Sequence, residues 1–210
     1  MPEKYKNQYK IESSRLAGYD YTQNGMYFVT ICTKEREEFF GTIKDGKIEL
    51  SEIGKIVENF WQEIPKHFTS VILDEYVIMP NHLHGIVEIN NDKSVETQFI
   101  ACDGVPNANS NCRDAINRVS TGDTLKTGGI TGDHNPMLNP GSLSKMMRWY
   151  KGRCAFEIRK QLNPITFAWQ PRFYDHIIRN EISLNKIREY IQTNPEMWER
   201  DRNNVENLWM

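Results

Sequence analysis

The sequence predicts an α+β fold, an antiparallel sheet with helices packed on it and a long flexible insertion. Three observations lead there. Up to residue 90 the order reads strand, hairpin, helix, strand, strand; two further amphipathic helical stripes follow after residue 141; and between them 91–140 loses all periodicity. Antiparallel strands that carry helices in this order suggest a sandwich of the ferredoxin-like kind.

The elements follow from local chemistry. Asn24-Gly25 is a turn signal, and the β-branched and aromatic run from Met26 to Thr33 after it reads as a central strand. Phe39 to Leu50, broken by Asp45-Gly46, reads as a small hairpin. Ser51 opens a helix whose apolar stripe comprises Ile53, Ile56, Val57, Phe60, Trp61 and Ile64 and runs to Pro65. Val71 to Met79 is a second long strand, Pro80-Asn81 turns the chain, and His82 to Ile89 returns as its antiparallel partner. At the N-terminus Tyr5, Lys6, Tyr9, Lys10 and Arg15 mix basic and aromatic groups without a period, as a frayed end or a nucleic-acid-contacting arm would.

From Asn91 to about Pro140 the chain is rich in Asn, Asp, Gly, Thr and Ser, which bury too little surface to offset ordering entropy, so this stretch is expected to be a flexible insertion and not a second domain. The expectation for 1–210 is therefore one catalytic domain with an insertion at 91–140. Order returns at Ser142, an N-cap candidate for a helix with a stripe of Leu143, Met146, Met147, Tyr150, Cys154 and Ile158. Lys145, Arg148, Gly152 and Arg159 fall on its opposite face, either as a track for a phosphate backbone or as plain soluble surface. Trp169 to Asn180 is dense in aromatic and basic side chains; Trp169 and Phe173 suit either stacked bases or core packing, with Arg172 and Arg179 beside them. Ser183 is placed to cap a last helix that buries Leu184, Ile187 and Ile191, carries Lys186 and Tyr190 outside, and ends at Pro195. Asn194 precedes that proline and should already be leaving helical geometry.

Composition narrows the function classes. With 39% hydrophobic and 26% charged residues, no apolar run near the roughly 20 residues of a membrane span and no signal-peptide core, the expectation is a cytoplasmic globular protein without a membrane partner. The four cysteines, Cys32, Cys102, Cys112 and Cys154, have neither zinc-knuckle spacing nor the density of a disulfide scaffold and read as reduced thiols. A formal net charge of -2 hides an asymmetry: between 141 and 190 ten Lys and Arg face four acids. Such a local excess is the footprint of a polyanion site, or else a solvated face.

On a strand His82 and His84 share one side while Leu83 points to the core, which makes them half a metal site near the start of a strand, open to solvent. A His-x-His pair can also be merely structural. Val77-Ile78-Met79-Pro80-Asn81-His82-Leu83-His84, then Trp169-Gln170-Pro171-Arg172-Phe173-Tyr174-Asp175-His176-Ile177-Ile178-Arg179-Asn180, then Tyr190-Ile191 with Asn194-Pro195, in this order, resemble REP-associated tyrosine transposases, which belong to the single-tyrosine, His-hydrophobic-His group of single-strand DNA transposases. The resemblance implies recognition of single-stranded or hairpin DNA and cleavage of one strand through a 5′-phosphotyrosine link, with strand rejoining. It further implies Tyr190 as nucleophile and His82, His84 and Asn194 around a divalent ion, Mg²⁺ or Mn²⁺. Lys145, Arg148, Arg159, Arg172, Arg179 and Lys186 are the DNA-binding candidates, and Lys145, Arg148 and Arg159 together with Arg172 and Arg179 are expected to form a continuous basic track towards Tyr190.

Two other classes compete. A non-catalytic nucleic-acid-binding module of ferredoxin-like fold would not need His82, His84 and Tyr190 together. A metal-dependent phosphoesterase using water normally wants carboxylate ligands, and none clusters in the sequence. The sequence leaves monomer or homodimer open.

Overall fold

The structure, a computed structural model, describes residues 4–5, 8–9, 16, 19–92, 141–162, 166–201 and 203–204. The predicted insertion therefore falls, from residue 93 to 140, outside the described residues. A short pairing of β1 (Lys4–Tyr5) with β2 (Gln8–Tyr9) stands where the N-terminal arm was expected.

Four strands form the main sheet: β3 (Gly25–Cys32), β6 (Val71–Ile78), β7 (His82–Ile89) and β8 (Tyr174–Ile178). They lie in the order β6-β7-β3-β8, with every neighbouring pair antiparallel. In chain order the first strand sits beside the third and the fourth, and helices α1 (Glu52–His67) and α2 (Leu143–Leu162) make the two crossovers. This is the ferredoxin-like arrangement expected from the strand and helix order. The hairpin β4 (Gly41–Lys44) and β5 (Lys47–Leu50) turns through Asp45 and Gly46, both at positive φ as a tight two-residue turn requires.

Period-two alternation divides the side chains of the sheet between two cores. Tyr27, Val29 and Ile31 of β3 and Leu83, Val87 and Ile89 of β7 join Val57, Trp61 and Ile64 of α1 and Met146, Met147 and Tyr150 of α2 in the larger core. Phe28 and Ile86, pointing the other way, meet Ile178, Leu184 and Ile191 beneath α3 (Glu181–Thr193). Helices thus cover both faces: α1 and α2 one, α3 the other.

Several helix ends differ from expectation. Ser51 caps α1 by accepting from Gly54 N–H, as read, but the helix passes through Pro65 to His67; a proline in the last turn forfeits one hydrogen bond without stopping it. Asn180, not Ser183, caps α3, its side-chain oxygen accepting from Ser183 N–H at 2.8 Å. Asn194 keeps right-handed helical dihedrals (φ -56°, ψ -42°) in spite of the following proline.

Two contacts set the position of the sheet and of α3. Gly85 leaves room for the Trp61 ring: a Cβ built there would lie 2.3 Å from a ring carbon. On the other face Arg188 of α3 grips Asp74 at the irregularity in β6, donating to both carboxylate oxygens at 2.8 and 2.5 Å.

Gly85→Ala should destabilise the fold by about 1–3 kcal/mol through overpacking, read as a lower urea midpoint. The Arg188 hydrogen bonds, helped by Glu75 N–H and opposed by burial, hold the Asp74 carboxyl below its ordinary 3.8. Between the two values the unfolded chain binds more protons than the folded one, so this contribution is present above 3.8 and is lost as pH falls below it. The urea midpoint of Asp74→Asn should therefore lie below that of the wild type at neutral pH and converge with it as acid is added; a constant gap down to pH 2 would contradict the assignment.

Candidate functional site

Because β7 alternates, Leu83 and Gly85 go to the α1 and α2 side while His82 and His84 project beneath α3. Both histidines are buried, at 0% and 1% exposure, which corrects the expectation of a pair open to solvent. Their Nε2 atoms face one another at 3.0 Å. The outer nitrogens are held in place: His82 Nδ1 lies 2.8 Å from Asn81 Oδ1, and His84 Nδ1 2.8 Å from Thr30 Oγ1 on the neighbouring strand, where Thr30 and His84 are register partners.

Asn81 fixes the tautomer of its neighbour. Its amide nitrogen donates to Arg36 O at 3.0 Å and to Asn203 O at 2.8 Å, so its oxygen is left to accept, and His82 Nδ1 must carry the proton. The His82 Nε2 lone pair then points at His84 Nε2. Two lone pairs cannot face each other at this distance without a proton or a cation between them.

The rest of the site comes from α3 and the segment after it. The Tyr190 hydroxyl is 3.2 Å from His84 Nε2, and its ring meets Phe28 and His84 edge-on at 6.2 and 5.2 Å. At 42% exposure it spans the buried pair and solvent. Trp198 stacks beside His82 at 6.1 Å, and the chain then brings Asp201 over the pair. One ligand atom from each of His82, His84 and Asp201 lies within 4.8 Å of the others, all three residues being buried. Asp201 is steadied by Asn203 N–H donating to its carboxylate at 2.5 Å. Sequence reasoning missed it: Asp201 lies seven residues beyond Asn194, in a charged stretch with no spacing that marks a ligand.

Asn194 is also buried, at 2%, and its side-chain oxygen has no hydrogen-bond partner among the described residues. A buried orphan acceptor is costly and calls for a donor or a cation.

The donor set fits a divalent ion. Two ligands about 2.1 Å from one octahedral ion and at right angles to each other lie about 3.0 Å apart, which is the Nε2 separation found here. Two imidazoles with a carboxylate or amide oxygen leave positions open for water or substrate.

The cationic candidates are divided. Lys145, Arg148 and Arg159 are exposed on α2, in the helix layer across the sheet from Tyr190, so they do not continue along one face to the tyrosine as expected. Exposed Arg172 and Arg179 bracket the edge strand β8, and Lys186 lies one turn before Tyr190 on α3. Trp169 and Phe173 resolve towards packing: Trp169 meets Phe40, Tyr150 and Phe167, and Phe173 lies against the larger core.

No protein-family model matches the chain. Among solved structures it is similar to a REP-associated tyrosine transposase bound to a REP hairpin, with 16% identity, a TM-score of 0.49 and coverage of 89% of this chain and 74% of that one. It is also similar to a candidate transposase from Deinococcus radiodurans R1, with 11% identity, a TM-score of 0.43 and coverage of 85% and 96%. Over 190 residues it is 35% identical to a protein of Haemophilus influenzae (strain ATCC 51907 / DSM 11121 / KW20 / Rd) that bears the name "Uncharacterized protein", covering 90% of this chain and 91% of that one. At that identity over nearly the full length of both, the chain belongs to the same family as the Haemophilus influenzae protein.

Proposed function

We propose that the protein is a metal-dependent single-strand DNA endonuclease and transposase that recognises hairpins, cuts by attack of Tyr190 and can rejoin the strands. The observation that carries this reading is the Tyr190 hydroxyl, 3.2 Å from the His84 nitrogen that itself faces His82. A half-exposed tyrosine beside a buried ligand pair can meet a phosphate from solvent.

A tyrosine hydroxyl with an ordinary pKa near 10 is a weak nucleophile at neutral pH, so the reaction needs a more electrophilic phosphate. A bound divalent ion, Mg²⁺ or Mn²⁺, supplies Lewis acidity and neutralises charge on that phosphate. His82 and His84 would hold it, with Asp201 or Asn194 as the oxygen ligand. As the Tyr190 oxygen bonds to phosphorus it gives up its proton, and the bond from phosphorus to the 3′ oxygen breaks. That oxygen takes a proton and leaves as a 3′-hydroxyl, so one phosphoester replaces another and the link remains available for rejoining. Trp198 and Asp201 lie over the histidine pair.

Asp201 also favours a second reading, a phosphoesterase that uses water, because it places beside the histidines a carboxylate that no sequence motif marks. The product separates the two. Wild-type protein incubated with hairpin DNA and Mn²⁺ should give a band shifted by covalent DNA, whereas a hydrolase gives free ends only. Tyr190→Phe should abolish the adduct and leave hairpin affinity within about twofold, since it removes one exposed oxygen and keeps the ring.

Metal binding can be tested without turnover. Thr30→Val removes the hydroxyl that holds His84 Nδ1 and should weaken Mn²⁺ binding by about 10–100-fold in calorimetry. His82→Ala and His84→Ala should each abolish it. Comparing Asp201→Asn with Asn194→Ala identifies the oxygen ligand as the one whose loss weakens binding more; equal, unchanged affinity in both would remove the third ligand from the proposal.

A further inference from the structure

The sheet register places a second set of side chains on the same face as the histidine pair. Val77 of β6 is opposite His84, His84 is opposite Thr30, and Thr30 is opposite Tyr174 of β8. One row along, Ile86, Phe28 and His176 line up in the same way. Residues in one such row project to one face, so Tyr174 and His176 share the face of His84 and Tyr190. Tyr174 stands two strand spacings from His84, roughly 10 Å.

Both side chains are exposed, Tyr174 at 44%, where a strand residue facing a covered sheet would be buried. The helix above explains this. After leaving β8, α3 crosses towards β6, where Arg188 meets Asp74, and so leaves the β8 edge of this face uncovered. Phe28 joins the two areas, touching the Tyr190 ring on one side and lying opposite His176 on the other. Exposed Arg172 and Arg179 bracket the strand, while its one acid, Asp175, is buried and turned to the opposite face.

We propose that Tyr174 and His176 form a stacking platform for unpaired bases of the DNA strand that flanks the bond cut at Tyr190, with Arg172 and Arg179 neutralising its phosphates. Flat rings on an open sheet edge and guanidinium groups at each end match single-stranded nucleic acid in shape and in charge. The inference rests on the reading of Tyr190 as the nucleophile, and it identifies which unpaired part of the substrate the protein holds. It also moves base stacking from Trp169 and Phe173, which are occupied in the core, to their neighbours on the opposite face.

The test uses the full chain carrying Tyr190→Phe, so that binding is measured without cleavage, and fluorescein-labelled hairpins that are blunt or extended by unpaired nucleotides on either side. Tyr174→Ala with His176→Ala should weaken binding of one extended hairpin about tenfold and leave the blunt hairpin unchanged. Tyr174→Phe should restore most of the loss, because the ring is kept. Abasic sites in the extension should weaken binding to the parent and have no further effect on the double variant. Thermal unfolding of both variants within a few degrees of the parent shows that the fold is kept. Equal affinity of parent and double variant for extended hairpins overturns the proposal, as does an equal loss on the blunt hairpin or an abasic penalty undiminished in the double variant. Failure of the nucleophile reading has a separate signature: wild type with Mn²⁺ forms no adduct even though the extension is bound through Tyr174.

Discussion

The candidate site depends on the register of β7 against β3. Cys32 is opposite His82, Thr30 opposite His84 and Val29 opposite Gly85, so the two imidazoles fall beneath α3 while the glycine between the cores admits Trp61. A slip of one residue would exchange the faces, putting both histidines into the apolar layer of α1 and α2 and Leu83 beneath Tyr190. The alternation therefore serves stability and chemistry together. The same side chains that bury the large core on one face prevent the histidines from leaving the other.

Register alone aims the histidines; hydrogen bonds then orient them. Thr30 and Asn81 occupy the two Nδ1 atoms, which leaves both Nε2 atoms convergent. Asn81 is itself held by Arg36 O and Asn203 O, and its backbone oxygen accepts from Thr33 N–H and from the Thr33 hydroxyl. One buried amide thus ties together the loop after β3, the turn before β7 and the segment after α3 that carries Asp201. Tyr190 reaches the pair from a different element, on a helix anchored to β6 through Arg188 and Asp74 and packed on Phe28, Ile86 and Ile178 through Leu184 and Ile191.

Much of this arrangement was legible in the sequence, because it rests on short-range periodicity. The spacing of His82, Leu83 and His84 gave the shared face; the stripes of α1 and α2 gave the layers; the four-residue spacing of Tyr190 and Asn194 gave their common helix. What could not be read depends on contacts far apart in the chain. Asp201 meets His82 across 119 positions through an irregular segment. The burial of the histidine pair depends on the same segment. The separation of Trp169 and Phe173 from Tyr174 needed the pairing of β8 with β3, since a dense aromatic run does not say which of its rings face inward.

The charge asymmetry illustrates the same limit in energetic terms. Ten cations between 141 and 190 suggested one polyanion surface, yet several are committed elsewhere. Arg188 is bound to Asp74, and Arg153 lies over the rings of Phe60 and Phe156. Lys151 donates to Gln170 O and Pro171 O, and burial pushes its ammonium down to about 8. It thereby ties α2 to the chain entering β8. Of the rest, Lys160 pairs with Glu157; Lys145, Arg148 and Arg159 lie across the sheet from Tyr190, and Arg172, Arg179 and Lys186 lie at the ends of β8 and on α3. Screening over about 8 Å at physiological salt makes the field at Tyr190 depend mainly on the nearby cations. The positive field at Tyr190 therefore comes mainly from the few cations around β8 and α3, and the larger count contributes chiefly to packing and to the far surface.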